Sequence, residues 1–286
     1  MASDVYAGKD LGTLDLTITE EMVQHYIHGL EAPHPWYTSA SPFGGPVAPA
    51  LIFQDVSNRF KDWYLDNLFG NLWLRQEWDL YTPVRVGQTL HCTSSVADRY
   101  RRRDRDVVAQ EVWLRDDAGQ LVAHGIHHQS FLAEQTSGAV TLRPAQAKEG
   151  AKQHVDPTGE PLSLELKKAF SAAMCDQFFH TNRNYHNDKE ASKQLGFQEV
   201  VIGGRMTLAC VSELLTRHFG RGWYLGGHLD VKFTNVLWLN EPCTTRGVIT
   251  GHSITNGQRC TDVAVFCEKA DGTKVIVGTA RVREQI

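Results

Sequence analysis

Several features that mark common protein classes are missing from this 286-residue sequence. No apolar run approaches the ~20 residues that a membrane-spanning helix needs. The start of the chain lacks the basic and apolar regions of a secretion signal. The 6 cysteines form no C-x-x-C pair, and a net charge of -4 does not suit a general nucleic-acid binder. We therefore expect a cytoplasmic protein with reduced thiols, no membrane segment and no nucleic-acid partner.

The chain contains an internal repeat at a nearly constant interval. Three segments of the first half match segments of the second at offsets of 154, 152 and 153 residues: 43–50 with 197–204, 81–84 with 233–236, and 119–125 with 272–278. Three anchors at one spacing indicate a duplication. We predict an N-terminal copy over 1–133, a linker rich in Ala, Gln, Gly, Lys and Pro over 134–161, and a C-terminal copy over 162–286.

Hydrophobic periodicity predicts the same order of elements in both copies: a long apolar helix, then antiparallel strands. In the second copy we predict helices over 164–178, 188–194 and 205–219, and strands over 229–238, 243–254, 259–268 and 274–283. In the first copy we predict a helix over 50–67 and strands near 72–82, 90–98, 106–115 and 121–132. A sheet curled around a central helix in each copy gives the α+β class.

The segment 184–206 holds the most informative candidates for chemistry. It places His186 ahead of a short helix, and Gly203 and Gly204 follow at the start of the apolar helix. A histidine can act as acid or base. A helix N-terminus can stabilise a developing oxyanion through its N–H groups and its dipole. The alternative is a purely structural role, with a loop histidine next to glycines that allow close packing.

These residues resemble the MaoC-like, (R)-specific enoyl-CoA hydratase/dehydratase family in its double-hotdog form. In that family a D-x-N-P-x-H segment supplies a catalytic Asp and His, and an A-H-G-M-like segment starts the central helix. His186 falls on the motif histidine and Gly204 on the helix-start glycine. Thr181 takes the place of the Asp and Arg183 that of the motif Asn. The first copy is degenerate, because Tyr37 stands where a histidine would be.

The resemblance implies a double hotdog, with two tandem hotdog domains, and a lyase of the hydratase/dehydratase type. Its substrate would be an acyl thioester, with coenzyme A as part of the substrate and neither a separate cofactor nor a metal. It also implies a site, in which Asn182 and Asn184 position water or imidazole. The predicted catalytic residues are His186, Gly204, Asn182 and Asn184, and the predicted substrate-binding residues are Tyr37, Trp36, Tyr185, Gly203 and Arg205.

The missing carboxylate keeps other functions open. One is an isomerase, cyclase or dehydratase of a specialised metabolite that uses His186 alone. Another is a non-catalytic acyl-binding protein or partner subunit. The arginine-rich stretch 99–105 fits either a solvated hairpin loop or a contact to coenzyme A phosphates. Because the duplication supplies its own partner hotdog, both a monomer and a homodimer are compatible with the sequence.

Overall fold

The strands predicted for the two copies are present in a computed structural model that describes residues 4–142, 156–180 and 183–284. In order, the first copy contains β1 (Asp10–Thr17), α1 (Glu20–Leu30), α2 (Pro35–Thr38), β2 (Leu72–Leu80), β3 (Thr89–Arg102), β4 (Arg105–Arg115) and β5 (Leu121–Leu132). The remainder contains β6 (Glu160–Pro161), β7 (Leu166–Ala169), α3 (Ala172–Phe178), α4 (Lys189–Gln194), α5 (Gly204–Phe219), α6 (Arg221–Tyr224), β8 (His228–Phe233), β9 (Pro242–Thr255), β10 (Gln258–Lys269) and β11 (Lys274–Arg283).

The two copies share one antiparallel sheet of 11 strands. Its order is β1-β3-β4-β5-β2-β8-β11-β10-β9-β6, with β7 also paired to β9. The seam between the copies is the β2–β8 pair, where Arg75 lies opposite Lys232 and Asp79 opposite His228. Strands β3, β4 and β5 begin 153 residues before β9, β10 and β11 respectively. The duplication read from the sequence is therefore visible in the strand positions, whereas the exact domain boundaries stay a prediction.

Helix α5 is the central helix of the second copy. Its 16 residues begin at Gly204, and every position from Met206 to Thr216 is buried. Strands β9, β10 and β11 pack around it, as does α1 of the first copy. A helix that is buried on all sides needs no polar face. The prediction of a buried central helix over 205–219 is confirmed. The 6 cysteines are free and buried, as expected.

The helix predicted over 50–67 in the first copy is wrong. This stretch forms a series of tight turns in which backbone N–H groups of Ile52, Gln54 and Val56 bond to the carbonyls three residues earlier. A short 3₁₀ helix over Val56–Arg59 follows these turns. The segment is rich in Asp, Asn, Ser and aromatic residues, which favour helices weakly because their side chains lose freedom or compete for backbone hydrogen bonds. The two copies therefore differ most where the second has α5.

The helix predicted over 164–178 begins later than expected. Residues 166–169 form β7 at the sheet edge, and only Ala172–Phe178 is helical. The side-chain hydroxyl of Ser171 caps α3 by accepting the N–H of Met174 at 3.3 Å. The exposure of β7 alternates residue by residue, which is the period of a strand. The shorter helix predicted over 188–194 is confirmed as α4.

Part of the predicted linker, residues 143–155, lies outside the described residues. Within the described ranges, no helix combines the length and apolar character needed to cross a membrane.

Candidate active site

A cleft of about 1400 Å³ opens beside the N-terminus of α5. It exceeds the roughly 300–1,000 Å³ typical of drug-sized ligand pockets, so it can hold a long substrate. Both copies contribute to its walls, since Trp73 and His127 come from the first and His186 and Gly204 from the second. The predicted residues Tyr185, Gly203, Arg205 and Asn184 also line it.

Local hydrogen bonds fix the loop that carries His186. The side-chain oxygen of Asn184 accepts the backbone N–H of His186 at 2.8 Å. The side chain of Asn187 in turn accepts the N–H of Asn184 at 2.8 Å. Asp188 then caps α4 by accepting the N–H of Ala191 at 2.7 Å. Asn184 was predicted to orient the imidazole or a water, and in the structure its oxygen holds the His186 backbone.

The ring of His186 is fixed in one tautomer. Its Nδ1 lies 2.8 Å from the carbonyl oxygen of Val201, which can only accept, so Nδ1 carries the proton. The ring also stacks on Phe179 with centroids 4.9 Å apart. Burial lowers the pKa of His186 to about 4, although the hydrogen bond to Val201 raises it. At neutral pH the imidazole is therefore uncharged and offers the Nε2 lone pair to a proton.

Gly203 and Gly204 let the helix start approach this imidazole. A Cβ added at Gly203 would lie 2.4 Å from Phe179 Cζ and 3.4 Å from His186 Cγ. A Cβ added at Gly204 would lie 2.6 Å from Trp73 Cε3. Among the described residues, the N–H of Gly204 has no hydrogen-bond acceptor. The first N–H groups of α5 are thus available to a ligand oxygen next to His186.

An aromatic wall from both copies faces the start of α5. The ring of Trp73 stacks between His127, at 4.6 Å, and Phe233, at 4.5 Å. Burial lowers the pKa of His127 to about 3, so this ring is also neutral. The wall contains rings from both copies because β2 and β8 adjoin in the sheet. Only strand pairing brings Trp73 to Gly204, and no local sequence signal predicts that pairing.

The cleft is electropositive although the chain is acidic overall. Its described lining includes 5 cationic side chains and 1 carboxylate, Asp104. The cations are Arg102, Arg103, Arg105, Arg205 and Lys232. Three of them belong to the β3–β4 hairpin, which the sequence offered as either a solvated loop or a phosphate contact. The structure places that hairpin at the cleft.

Trp36 and Tyr37 do not line this cleft, which corrects their predicted grouping with His186. Tyr37 is buried and its hydroxyl donates to Glu213 on α5. Trp36 packs against Phe43 and Tyr224. Glu213 lies nine residues after Gly204, which is roughly 14 Å along the helix axis. The first-copy motif segment therefore packs farther along α5, and we assign Tyr37 a structural role.

The predicted catalytic residue Asn182 lies outside the described residues, as does Thr181 at the position of the motif Asp. Arg183, at the position of the motif Asn, has its side chain 73% exposed and pairs with Asp188 at 2.7 Å. It points to solvent rather than to the imidazole.

One side-chain group in the described part of the chain could hold a metal ion. The ligand atoms of Glu21, His25 and His180 lie within 4.8 Å of one another. None of the three lines the cleft. The histidines of β5 lie on two faces of the sheet, because side chains alternate along a strand. His124 pairs with Glu111 and His128 with Glu77, whereas His127 faces the cleft.

Comparison with known proteins agrees with this architecture. Residues 6–124 match the family model described as the FAS1-like dehydratase domain region. A MaoC-like dehydratase from Phytophthora capsici superposes with a TM-score of 0.75 at 16% identity, covering 100% of this chain and 98% of that one. The chain has a double-hotdog fold, and part of its first copy is similar to the FAS1-like dehydratase region. The predicted resemblance to MaoC-like dehydratases is confirmed.

Other solved structures share the fold at similarly low identity. A conserved hypothetical protein from Mycobacterium tuberculosis, described as a double hotdog, gives a TM-score of 0.61 at 12% identity, covering 99% of this chain and 97% of that one. The full-length peroxisomal multifunctional enzyme type 2 of Drosophila melanogaster gives 0.68 at 15% identity, covering 96% of this chain and 48% of that one. No curated protein matches by sequence.

Proposed function

We propose that this protein is a hydratase/dehydratase acting on an enoyl or 3-hydroxyacyl thioester in the cleft beside α5. The observation that carries the proposal is the neutral imidazole of His186 beside the helix N-terminus. Its Nδ1 is bonded to Val201, so Nε2 remains available as a base. Gly204, the first residue of α5, lines the same cleft, and its N–H has no acceptor among the described residues.

In the hydration direction, His186 Nε2 removes a proton from water as the oxygen attacks the β-carbon of the enoyl group. The negative charge that develops on the thioester oxygen is stabilised by Gly204 N–H and the helix dipole. The imidazolium then returns its proton to the α-carbon, and water has been added across the double bond. Dehydration runs through the same steps in reverse. One base can serve both transfers because it is regenerated in each cycle.

Coenzyme A is the proposed carrier, without a separate cofactor. The cleft, at about 1400 Å³, has the volume for an acyl thioester, and Arg102, Arg103 and Lys232 supply cations for phosphate groups. Contacts of this kind are screened by salt, so KM for a coenzyme A thioester is expected to rise with ionic strength. The cytoplasmic location and the choice between monomer and homodimer stay predictions.

The scarcity of carboxylates favours a second candidate, a one-base isomerisation or cyclisation at His186. Within the described lining, Asp104 is the one acidic group, and it belongs to the β3–β4 hairpin. A water held only by His186 and amide groups is less strongly activated than one held by a carboxylate and an imidazole. This candidate predicts turnover of a non-hydrating substrate that depends on the same histidine. A silent acyl-binding subunit predicts no turnover at all.

The test is hydration of trans-enoyl-CoA substrates by the wild type and by His186→Gln. We expect the substitution to lower kcat/KM by about 10²–10⁴-fold, the usual contribution of a general base. His218→Gln is the matched control, because His218 is exposed at the other end of α5. Equal activity of wild type and His186→Gln on every accepted substrate would contradict the proposal.

A further inference from the structure

Arg205 is a cation inside the reacting part of the cleft. It is the second residue of α5 and lines the cleft beside Gly204. Its guanidinium lies 4.8 Å from the ring centroid of Phe179, the same ring that stacks on His186. The side chain is 24% exposed. A guanidinium does not lose its proton in proteins, so this charge persists at the site.

The charge of Arg205 is only partly compensated. Its carboxylate neighbour is Asp55, with Arg205 Nη1 3.7 Å from Asp55 Oδ2. The same Oδ2 already accepts Nε and Nη2 of Arg59 at 3.2 and 3.1 Å. Two guanidinium groups thus share one carboxylate. Within the described residues, Arg205 forms no hydrogen bond of 3.5 Å or less, although it has five N–H donors.

Neighbouring polar groups in the cleft also lack partners. Gln54 lines the cleft, is 4% exposed, and has an amide oxygen that is fully enclosed without a hydrogen bond. Tyr185 lines the cleft next to His186, with ring centroids 3.8 Å apart. The amide oxygen of Gln54 is an acceptor and needs a donor. The guanidinium of Arg205 needs acceptors, and its partly compensated charge favours an anionic ligand.

We propose that Arg205 binds a carboxylate on the acyl group, so that the preferred thioesters are those of dicarboxylic acids. The inference rests on the proposed thioester function. Phosphate is the other anion of such a substrate, but it belongs to the carrier. Arg205 adjoins His186 and Gly204, where the acyl group reacts, whereas the β3–β4 hairpin offers separate cations for the carrier. A guanidinium also matches the two oxygens of a carboxylate.

The test uses saturated thioesters, which bind but have no double bond to hydrate. Dissociation constants are measured by calorimetry for matched pairs: succinyl and butanoyl, glutaryl and pentanoyl, and adipoyl and hexanoyl coenzyme A. In at least one pair we expect the wild type to bind the carboxylate member about 10- to 100-fold more tightly, the range for hydrogen bonds to a charged group. Taking the ratio within a pair removes the contribution of the carrier.

Arg205→Gln is expected to bring this ratio close to one, and Arg205→Lys to restore part of it by keeping the charge. Arg281→Gln, which removes a cation on β11 outside the cleft lining, is the control and should keep the wild-type ratio. A wild-type ratio of one or less in all pairs overturns the inference. So does a ratio that survives in Arg205→Gln.

Failure of this inference is distinguishable from failure of the proposed function. A carboxylate preference in binding, with no hydration of the corresponding enoyl thioesters, leaves the Arg205 site standing and removes the hydratase. Equally fast hydration of charged and uncharged enoyl groups, without a binding preference, supports the hydratase and removes the Arg205 site.

Discussion

His186 lines the cleft, and its Nδ1 donates to Val201 while its Nε2 has no hydrogen-bond partner among the described residues. In the proposed function, this division between a structural and a reactive nitrogen lets one histidine act as a base without a carboxylate neighbour to orient it. A backbone carbonyl takes over the orienting role, because it accepts the Nδ1 proton and fixes the tautomer. The base is weaker than an imidazole paired with a carboxylate, since the carbonyl carries no full charge.

The burial of His186 predicts where activity is lost at low pH. Because its pKa in the folded chain is about 4, below the ordinary 6.5, the base stays unprotonated until the pH falls towards 4. The acidic limb of the kcat/KM profile is therefore expected near pH 4, provided that the chain is still folded there by circular dichroism. An acidic limb near 6.5 would show that His186 is not buried as described or is not the base.

The residues that line the start of α5 could be located from the sequence, whereas their surroundings could not. His186, Gly203, Gly204 and Arg205 lie within one segment, so local order places them together. Trp73 reaches the site only through the pairing of β2 with β8, which depends on a contact more than 150 residues apart. The same limitation affected Tyr37, which we predicted at the site but whose hydroxyl contacts Glu213.

At the scale of elements, the start of α5 is a close contact between the helix and the aromatic wall. The nearest atoms to a Cβ at Gly204 are Trp73 Cε3 at 2.6 Å and Phe233 Cε1 at 3.0 Å. Both rings are held in a stack, so neither can move without disturbing the other. Glycine is therefore required here for space rather than for backbone conformation.

Gly204→Ala is expected to destabilise the fold by about 1–3 kcal/mol, the cost of overpacking, and to lower kcat/KM. Trp73→Leu in the Gly204→Ala background should recover much of the stability, because it removes the ring that clashes. Thermal unfolding monitored by circular dichroism measures both. Gly251→Ala on β9 is the control, since a Cβ there meets no atom within 4 Å. If Gly204→Ala behaves like this control, the close contact is wrong.

Our predictions failed for elements whose hydrophobic periodicity fits more than one kind of structure. Residues 50–67 are apolar enough for a buried helix, but turns with bonds to the third preceding residue satisfy their backbone. Around residue 166, leucines at short spacing fit either a helix or a strand. Pairing with β9 makes this segment the strand β7. Tertiary contacts thus overrode local pattern in both places.

At the scale of the whole molecule, β2 and β8 join two copies into one sheet. Arg75 on β2 forms a two-bond pair with Asp230 on β8, with Nε–Oδ1 and Nη2–Oδ2 distances both 2.7 Å. The side chains are 31% and 28% exposed, so solvent screens part of the attraction. A second side-chain contact crosses the same seam, between Asp79 Oδ1 and His228 Nδ1 at 2.7 Å.

A double-mutant cycle of Arg75→Ala and Asp230→Ala is expected to give a coupling energy of about 1 kcal/mol. Because the sheet is continuous, each variant should shift a single cooperative unfolding transition, measured with urea by circular dichroism. The Arg281 and Asp262 pair, at 2.8 Å between β11 and β10 of the second copy, is the matched comparison. Two separate transitions, of which only one shifts, would mean that the copies unfold independently.

The most direct measurement of the central claim is the product formed from a trans-enoyl thioester in deuterium oxide enriched in heavy oxygen. We expect the wild type to yield the 3-hydroxyacyl thioester with heavy oxygen at the β-carbon and deuterium at the α-carbon, seen by mass spectrometry and NMR. His186→Gln should form this product far more slowly. Deuterium exchange without incorporation of oxygen would indicate isomerisation, and release of free coenzyme A would indicate thioester cleavage. Either result would contradict hydration at His186.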